Sequence, residues 1–148
     1  MKRLLLLGAT VAAAVLVFAA VGSARPAATV VHVVEHATTD VTTDTGKKGD
    51  SAGDVLTFSN AVYNQADTTK VGTDNGFCIR TVAGAAYECV WTTSLAKGQI
   101  TVEGPFYDKK NSVLAITGGT GAYADAQGWM ALQSKAGGTK YDFVFHLS

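Results

Sequence analysis

The sequence predicts an all-β fold, an eight-stranded antiparallel β-barrel. The chain has 16 glycines and only 2 prolines among 148 residues, with frequent Thr and Val, a composition typical of strands joined by tight turns. Runs of β-branched and aromatic residues recur at hairpin spacing, and no helix is predicted to cover a sheet face. Closing the sheet removes its edges, so a barrel is favoured over the alternative, a two-layer sandwich. The predicted strands are residues 29–35, 55–63, 70–82, 87–95, 98–107, 112–117, 127–135 and 141–147.

Residues 1–24 have the pattern of a signal peptide. Lys2 and Arg3 form a positively charged start, residues 4–21 are apolar, and small residues lead up to a cleavage site after Ala24. An uncleaved membrane anchor is the alternative for a run of this length. We expect a secreted, extracellular protein with no stable membrane anchor after cleavage near Ala24.

The charge balance argues against nucleic acid and anionic membranes as binding partners. Removing residues 1–24 leaves 10 basic and 12 acidic residues, without the clustered Lys and Arg that nucleic acid or an anionic membrane requires. The remaining length suits one domain with a single core. We expect the first strand and a flexible polar loop in residues 25–53 and the remainder of the barrel in residues 54–148, so that the barrel domain spans residues 29–148.

A glycine cluster closes the hairpin predicted for residues 98–117. Gly119, Gly121 and Ala124 satisfy the G-x-G-x-x-A pattern of a dinucleotide-binding turn. Only 24 residues follow Ala124, too few for the helix and strands of that fold. The cluster is therefore interpreted as a bend that uses the positive φ available to glycine.

The histidines do not predict a metal site. His32 and His36 are four residues apart, which on a strand is ~13 Å and too far for one ion. His146 is remote in the sequence, and a zinc site needs three or four converging ligands. We therefore expect no metal site.

Strand parity predicts one wall of the barrel interior. Leu56, Phe58, Asn60 and Val62 share a face of the second predicted strand. Asn60 is the one polar member, so it needs a structural or bound hydrogen-bond partner. Glu35 lies among valines: facing inward, it would have its pKa raised by desolvation, and facing outward it would lie in solvent.

Cys78 and Cys89 lie on consecutive predicted strands and can face each other across a hairpin. Two cysteines in an exported chain are usually joined, so a disulfide is favoured. A bridge closing so short a loop is worth about 3 kcal/mol. The alternative is a free Cys78 thiol inside the pocket.

Four segments together resemble the allene oxide cyclase family. They are GDVLTFSNAVY at residues 53–63, VGTDNGFC at 71–78, VEGPF at 102–106 and LAITGGTG at 114–121. The related dirigent barrels share the glycine bend. The resemblance implies a calycin-like eight-stranded barrel, often a trimer, with an apolar cavity and no cofactor. The family enzymes convert a fatty-acid allene oxide into a cyclopentenone by holding the chain in one conformation.

The resemblance also implies site residues. Asn60 matches an asparagine that helps to hold a pocket water, Cys78 matches a pocket cysteine associated with isomerisation, and Glu35 matches a glutamate that acts electrostatically on the intermediate. These three are expected to be catalytic. Phe106 stands where the family has an aromatic residue, usually tyrosine. The residues expected to bind the ligand are Leu56, Phe58, Val62 and Phe106.

Two functions stay open at this point. The first is a secreted isomerase or cyclase that acts on a hydrophobic small molecule by conformational steering. The second is a non-catalytic lipid- or phenolic-binding barrel or a dirigent-like protein. Steering needs positioning more than acid or base groups, so the reduced polar set fits both.

Overall fold

The computed structural model describes residues 29–148, and the predicted signal peptide lies outside them. Two 3-10 turns occur, at Gly121–Tyr123 and Ala136–Gly138. The strands are β1 Thr29–His36, β2 Val41–Thr43, β3 Val55–Asn64, β4 Lys70–Val82, β5 Ala86–Leu95, β6 Gly98–Tyr107, β7 Ser112–Gly119, β8 Gly128–Lys135 and β9 Lys140–Leu147.

The sheet closes on itself. From β3 to β9 each strand pairs antiparallel with the next, and β1 pairs with both β9 and β3. Glu35 on β1 therefore lies between Val62 on β3 and Tyr141 on β9. The eight long strands form the ring, so the predicted barrel is confirmed and the sandwich alternative is wrong.

The segment between β1 and β3 differs from the predicted structureless loop. After β1 ends, the chain continues along the same edge of β3, and Val41–Thr43 form the short strand β2 opposite Val55–Thr57. All three β2 residues are exposed, as expected for a solvated segment. The part of β3 between its contacts with β1 and β2 has no ladder partner on this edge, and Asn60 lies in that part.

One end of the barrel is packed solid and closed. Phe145, Met130 and Ile100 are fully buried there, and Tyr123 and Ala126 from the connection after β7 pack against this core. Alternating inward positions on every strand supply the core, as the period of two requires. Space inside the barrel is therefore expected toward the other end.

The glycine cluster is a bend, as predicted. Gly118 and Gly121 have φ of 156° and 61°, which favour glycine. A Cβ on Gly121 would lie 2.5 Å from the Lys97 carbonyl oxygen, and one on Gly98 would lie 2.0 Å from that of Thr120. The two backbones can approach this closely only because both positions lack a side chain. Within residues 29–148, no helix is long and apolar enough to cross a membrane.

Candidate functional site

A cavity lies inside the barrel at the end opposite the glycine bend. Its volume is about 80 Å³. The cavity is therefore small, with room for a few waters or one flat ring. Glu35, Asp40 and Tyr141 supply the polar groups of an otherwise apolar lining.

Aromatic side chains form a large part of the cavity wall. The Trp91 ring centroid lies 5.3 Å from that of Phe143 and 6.1 Å from that of Phe58, within the range of favourable aromatic pairs. Gly76 lies between Phe58 and Trp91 in the strand register. A Cβ on Gly76 would lie 2.3 Å from the Trp91 Cβ. The absence of a side chain at Gly76 therefore leaves the space in which the Phe58 and Trp91 rings pack together.

Glu35 faces the interior. Its side chain is buried, with the residue only 5% exposed, and it lines the cavity. Desolvation, followed by the nearby Asp74 carboxylate, raises the pKa of Glu35 from 4.5 to about 9. At neutral pH, Glu35 is therefore a neutral carboxylic acid, able to donate a hydrogen bond or a proton inside an apolar cavity.

Asn60 fills the gap in the ladder between β1 and β2. Its Oδ1 accepts hydrogen bonds from the Thr38 backbone N–H (3.0 Å), the Thr39 backbone N–H (3.0 Å) and the Thr39 hydroxyl (2.9 Å). Its Nδ2 donates to Glu35 Oε1 and Asp40 Oδ1, both at 2.7 Å. The one inward amide on β3 thus satisfies the unpaired backbone of the neighbouring segment and orients Glu35 at the same time.

The structure contains the disulfide between Cys78 and Cys89. The two residues are directly opposed on β4 and β5, are almost completely buried, and line the cavity wall. These are the two cysteines of the chain. A free Cys78 thiol is therefore not available for catalysis in this oxidised form.

The structure brings together some, but not all, of the other predicted site residues. Leu56, Phe58 and Phe106 line the cavity with Glu35. Val62 faces inward as predicted, but it is fully buried in the packed core and absent from the cavity wall. The structure therefore places Val62 with the core residues and not with those that line the cavity.

Sequence reasoning missed several residues of the site. Trp91, Tyr141 and Phe143 line the cavity, and Tyr141 lies 5.7 Å from Phe106 between ring centroids. Burial and the charge of Glu35 raise the pKa of the Tyr141 hydroxyl. Strand parity on β5 and β9 would have placed these residues inside, had it been applied to those strands as it was to β3.

Arg80 organises the rim of the barrel. Its Nη1 donates to both carboxylate oxygens of Asp108 at 2.8 Å, and its Nε lies 2.7 Å from Asp50 Oδ1. The guanidinium also lies 3.6 Å above the centre of the Tyr87 ring. Arg80 thereby joins the polar segment before β3 to the turn after β6.

The histidines take part in pairwise contacts. His32 pairs with Asp142 at 3.1 Å, and His36 pairs with Asp67 at 2.5 Å while stacking on Tyr63. Over the part of the chain that the structure describes, no group of three or more His, Cys, Asp or Glu side chains is arranged to hold a metal ion.

Comparison with known proteins gives a family match and several similar structures. The family model described as Allene oxide cyclase matches residues 30–148. A solved structure of pyocyanin demethylase is 27% identical, with a TM-score of 0.68, over 79% of this chain and all of the other. The pterocarpan synthase dirigent protein PsPTS1 is 19% identical (TM-score 0.64; 85% and 99% covered). The exo-specific intermolecular Diels-Alderase AbnU is 13% identical (TM-score 0.64; 82% and 98% covered). The last two likenesses show the fold alone.

Proposed function

The chain belongs to the allene oxide cyclase family, and from this membership we propose that it is a secreted isomerase or cyclase that acts on a hydrophobic small molecule. The observation that carries the proposal is Glu35, a carboxylic acid kept neutral at the wall of an aromatic cavity. The cavity selects the conformation of the bound molecule, and Glu35 acts on its reacting polar atom.

The surroundings of Glu35 suit acid catalysis. A neutral carboxylic acid in an apolar cavity can donate a hydrogen bond to an oxygen or nitrogen on which negative charge develops. Such a bond is stronger there than in water because the local dielectric constant is low. Asn60 fixes one carboxyl oxygen of Glu35 through its amide, which leaves the other oxygen to carry the proton.

The dimensions of the cavity favour a compact, flat ligand. The cavity has a volume of about 80 Å³, which is small for a long chain folded back on itself. Five of its lining residues are aromatic, and aromatic rings pack favourably on another flat π system. We therefore propose a ring-containing or conjugated substrate with a hydrogen-bond acceptor near Glu35. The similarity to a protein named pyocyanin demethylase supports a small-molecule substrate.

Secretion is part of the proposal. Residues 1–24 have the pattern of a signal peptide, and the Cys78–Cys89 disulfide is the state expected in an oxidising compartment. N-terminal sequencing of protein recovered from the culture medium tests it. A chain that begins at Arg25 supports export and cleavage, and an intact Met1 in the cytosolic fraction contradicts them.

Non-catalytic binding of a lipid or phenolic ligand, or dirigent-like steering of another enzyme's product, is the second candidate. The observation that favours it is the disulfide, because the bond removes the Cys78 thiol from the set of reactive groups. This candidate uses the same cavity and differs in that Glu35 only hydrogen-bonds to the ligand.

Ligand binding can be followed through Trp91. The chain has two tryptophans; Trp91 lines the cavity, whereas Trp129 is exposed on the outside. The Trp129→Phe variant therefore leaves one reporter inside the cavity. A conjugated aromatic probe should quench its fluorescence saturably, and the absence of saturable quenching across a panel of flat and linear probes would contradict the proposed ligand class.

A matched pair of phenylalanine variants tests the location of binding. Phe58→Ala removes part of the cavity wall and should weaken probe binding roughly tenfold or more, since a buried phenylalanine contributes about 1.5–3 kcal/mol. Phe77→Ala alters a ring that is 46% exposed on β4 and should leave binding unchanged. Equal effects of the two variants would place the probe elsewhere.

Turnover separates the two candidates. Polyene epoxides and conjugated ring compounds are incubated with the protein, and the products are resolved by chiral chromatography. Glu35→Gln should lower turnover roughly 10²- to 10⁴-fold while keeping ligand binding. Saturable binding without turnover by the wild type supports the non-catalytic candidate. Undiminished turnover in Glu35→Gln contradicts the acid role. Native mass spectrometry of the same preparation identifies any co-purifying molecule and tests the homotrimer that the family resemblance implies.

A further inference from the structure

A second acidic group lies beneath Glu35 and is not used by the proposed function. Asp74 is on the inner side of β4, directly opposite Asn60 on β3 and Thr93 on β5. The residue is completely inaccessible to solvent. Within residues 29–148, no amide, hydroxyl or cationic side chain donates a hydrogen bond to either carboxylate oxygen of Asp74. A buried carboxylate without such a donor is strongly destabilising unless a proton is supplied.

The neighbouring amide cannot provide that donor. Both hydrogens of the Asn60 amide are directed to other carboxylates, Glu35 and Asp40. In the described part of the chain, no Lys, Arg or His side chain forms an ion pair with Glu35, Asp40 or Asp74. Three acidic groups thus surround one amide without a compensating cation. A proton is the remaining means of reducing their mutual repulsion.

We propose that Glu35 and Asp74 hold one proton between them, and that Asp74 is the positioning residue that keeps this proton on Glu35, where the ligand can reach it. The inference deepens the proposed function and rests on it for its catalytic meaning. The geometry that supports it is the burial of both groups on the inner wall. Glu35 lines the cavity and Asp74 does not, and Asp74 lies opposite Asn60, whose amide donates to Glu35.

The electrostatics of the two groups agree with a shared proton. After burial, the charge of Asp74 is the largest cause of the raised pKa of Glu35. Burial raises the pKa of Asp74 to about 6, and a hydrogen bond from Glu35 opposes this rise. The other charged or titratable groups that act on Glu35 and Asp74 are Asp40, from the segment after β1, and Tyr141, from β9. Around neutral pH, one of the two carboxyls is protonated and the other is ionised.

Such a pair suits an isomerisation by proton transfer. Glu35 donates its proton to one oxygen or nitrogen of the ligand, which leaves two ionised carboxylates side by side. Their repulsion makes Glu35 a strong base, so it removes a proton from a carbon of the same ligand. One bond to hydrogen forms and one breaks, the ligand's double bonds shift, and the protein returns to its starting state without another reactant.

Glutamate-selective ¹³C labelling tests the pair without any ligand. The chain contains three glutamates, Glu35, Glu88 and Glu103, and the last two are exposed, so they provide internal references. The Glu35 signal, assigned with Glu35→Gln, should titrate well above neutral pH and show a smaller step where Asp74 ionises. This wild-type measurement needs no Asp74 variant. A single Glu35 midpoint below pH 6 would overturn the proposal.

The Asp74→Asn variant keeps the shape of the side chain and removes its charge. The Glu35 midpoint should fall by about one to two pH units, as loss of a nearby like charge predicts. Asp125→Asn, at an exposed position, is the matched control and should leave the midpoint unchanged. An unchanged Glu35 midpoint in folded Asp74→Asn overturns the proposal.

A turnover profile distinguishes failure of the pair from failure of the proposed function. With an active substrate, Asp74→Asn should shift the high-pH limb of the pH–rate profile to lower pH, by the same number of pH units as the Glu35 midpoint. A profile that does not move while the midpoint does would overturn the catalytic meaning of the pair. If Glu35 and Asp74 titrate as a coupled pair but no substrate is turned over, the shared proton is supported and the proposed catalytic function is contradicted.

Discussion

Replacing Glu35 by Gln should change how stability depends on pH. The pKa of Glu35 is raised from 4.5 to about 9 in the folded state. Between these values the folded protein carries a proton on Glu35 that the unfolded chain has released. The native state therefore binds more protons than the unfolded state, and stability falls as pH rises through this window.

The magnitude follows from the pKa difference. Each pH unit between the unfolded and folded pKa costs about 1.36 kcal/mol, so the loss between pH 4.5 and 9 has an upper limit of about 6 kcal/mol, with about half of it incurred by pH 7. Gln does not titrate, keeps an oxygen for the Asn60 amide, and offers an NH₂ group to Asp74. Glu35→Gln should match the wild type near pH 4.5 and become increasingly more stable than it toward pH 9.

Urea unfolding at pH values from 4.5 to 9.5, with the disulfide intact, measures this difference. Asp54, Asp67 and Asp142 have lowered pKa values; the stability that they contribute is lost at more acidic pH, below the window, and equally in both proteins. Glu103→Gln, on the exposed outer face of β6, is the control and should differ from the wild type by a constant amount. A constant difference between Glu35→Gln and the wild type would refute the reasoning.

Three further predictions concern the frame of the site. Asn60→Ala removes one buried and two part-buried hydrogen bonds and should cost about 2–4 kcal/mol in urea unfolding; a loss below 1 kcal/mol would contradict its bridging role. The Cys78→Ser/Cys89→Ser double variant should lose about 3 kcal/mol, seen as a lower Tm that a reductant no longer changes; equal stability would contradict the cross-link estimate. Gly76→Ala would place a methyl group 2.3 Å from the Trp91 Cβ. It should therefore lower the free energy of unfolding by about 1–3 kcal/mol and alter the near-ultraviolet circular dichroism of the indole. An unchanged spectrum and stability would show that the cavity wall accommodates the methyl group without strain.

Local chemistry explains why much of the fold could be predicted. The eight long strands follow from β-branched runs, and the bend after β7 follows from glycines that must take positive φ. The short strand β2 could not be predicted, because its three exposed residues carry no alternation and form a strand only by pairing with β3. Whether Val62 lies in the packed core or at the cavity wall could not be predicted either, because it depends on how side chains from all strands fill the interior.

By itself, the sequence determined an antiparallel barrel, the apolar face of β3 with Asn60 in it, and a pair of cysteines able to bond. Only the tertiary structure decided that Glu35 faces inward, because one residue of register moves a strand's whole side-chain set to the other face. It also decided that Glu35, Asn60 and Asp74 meet, since closure of the ring places β1 beside β3, which pairs with β4 on its other edge. The chemistry of the site depends on that meeting, because burial and mutual repulsion, which no local pattern encodes, are what keep Glu35 protonated.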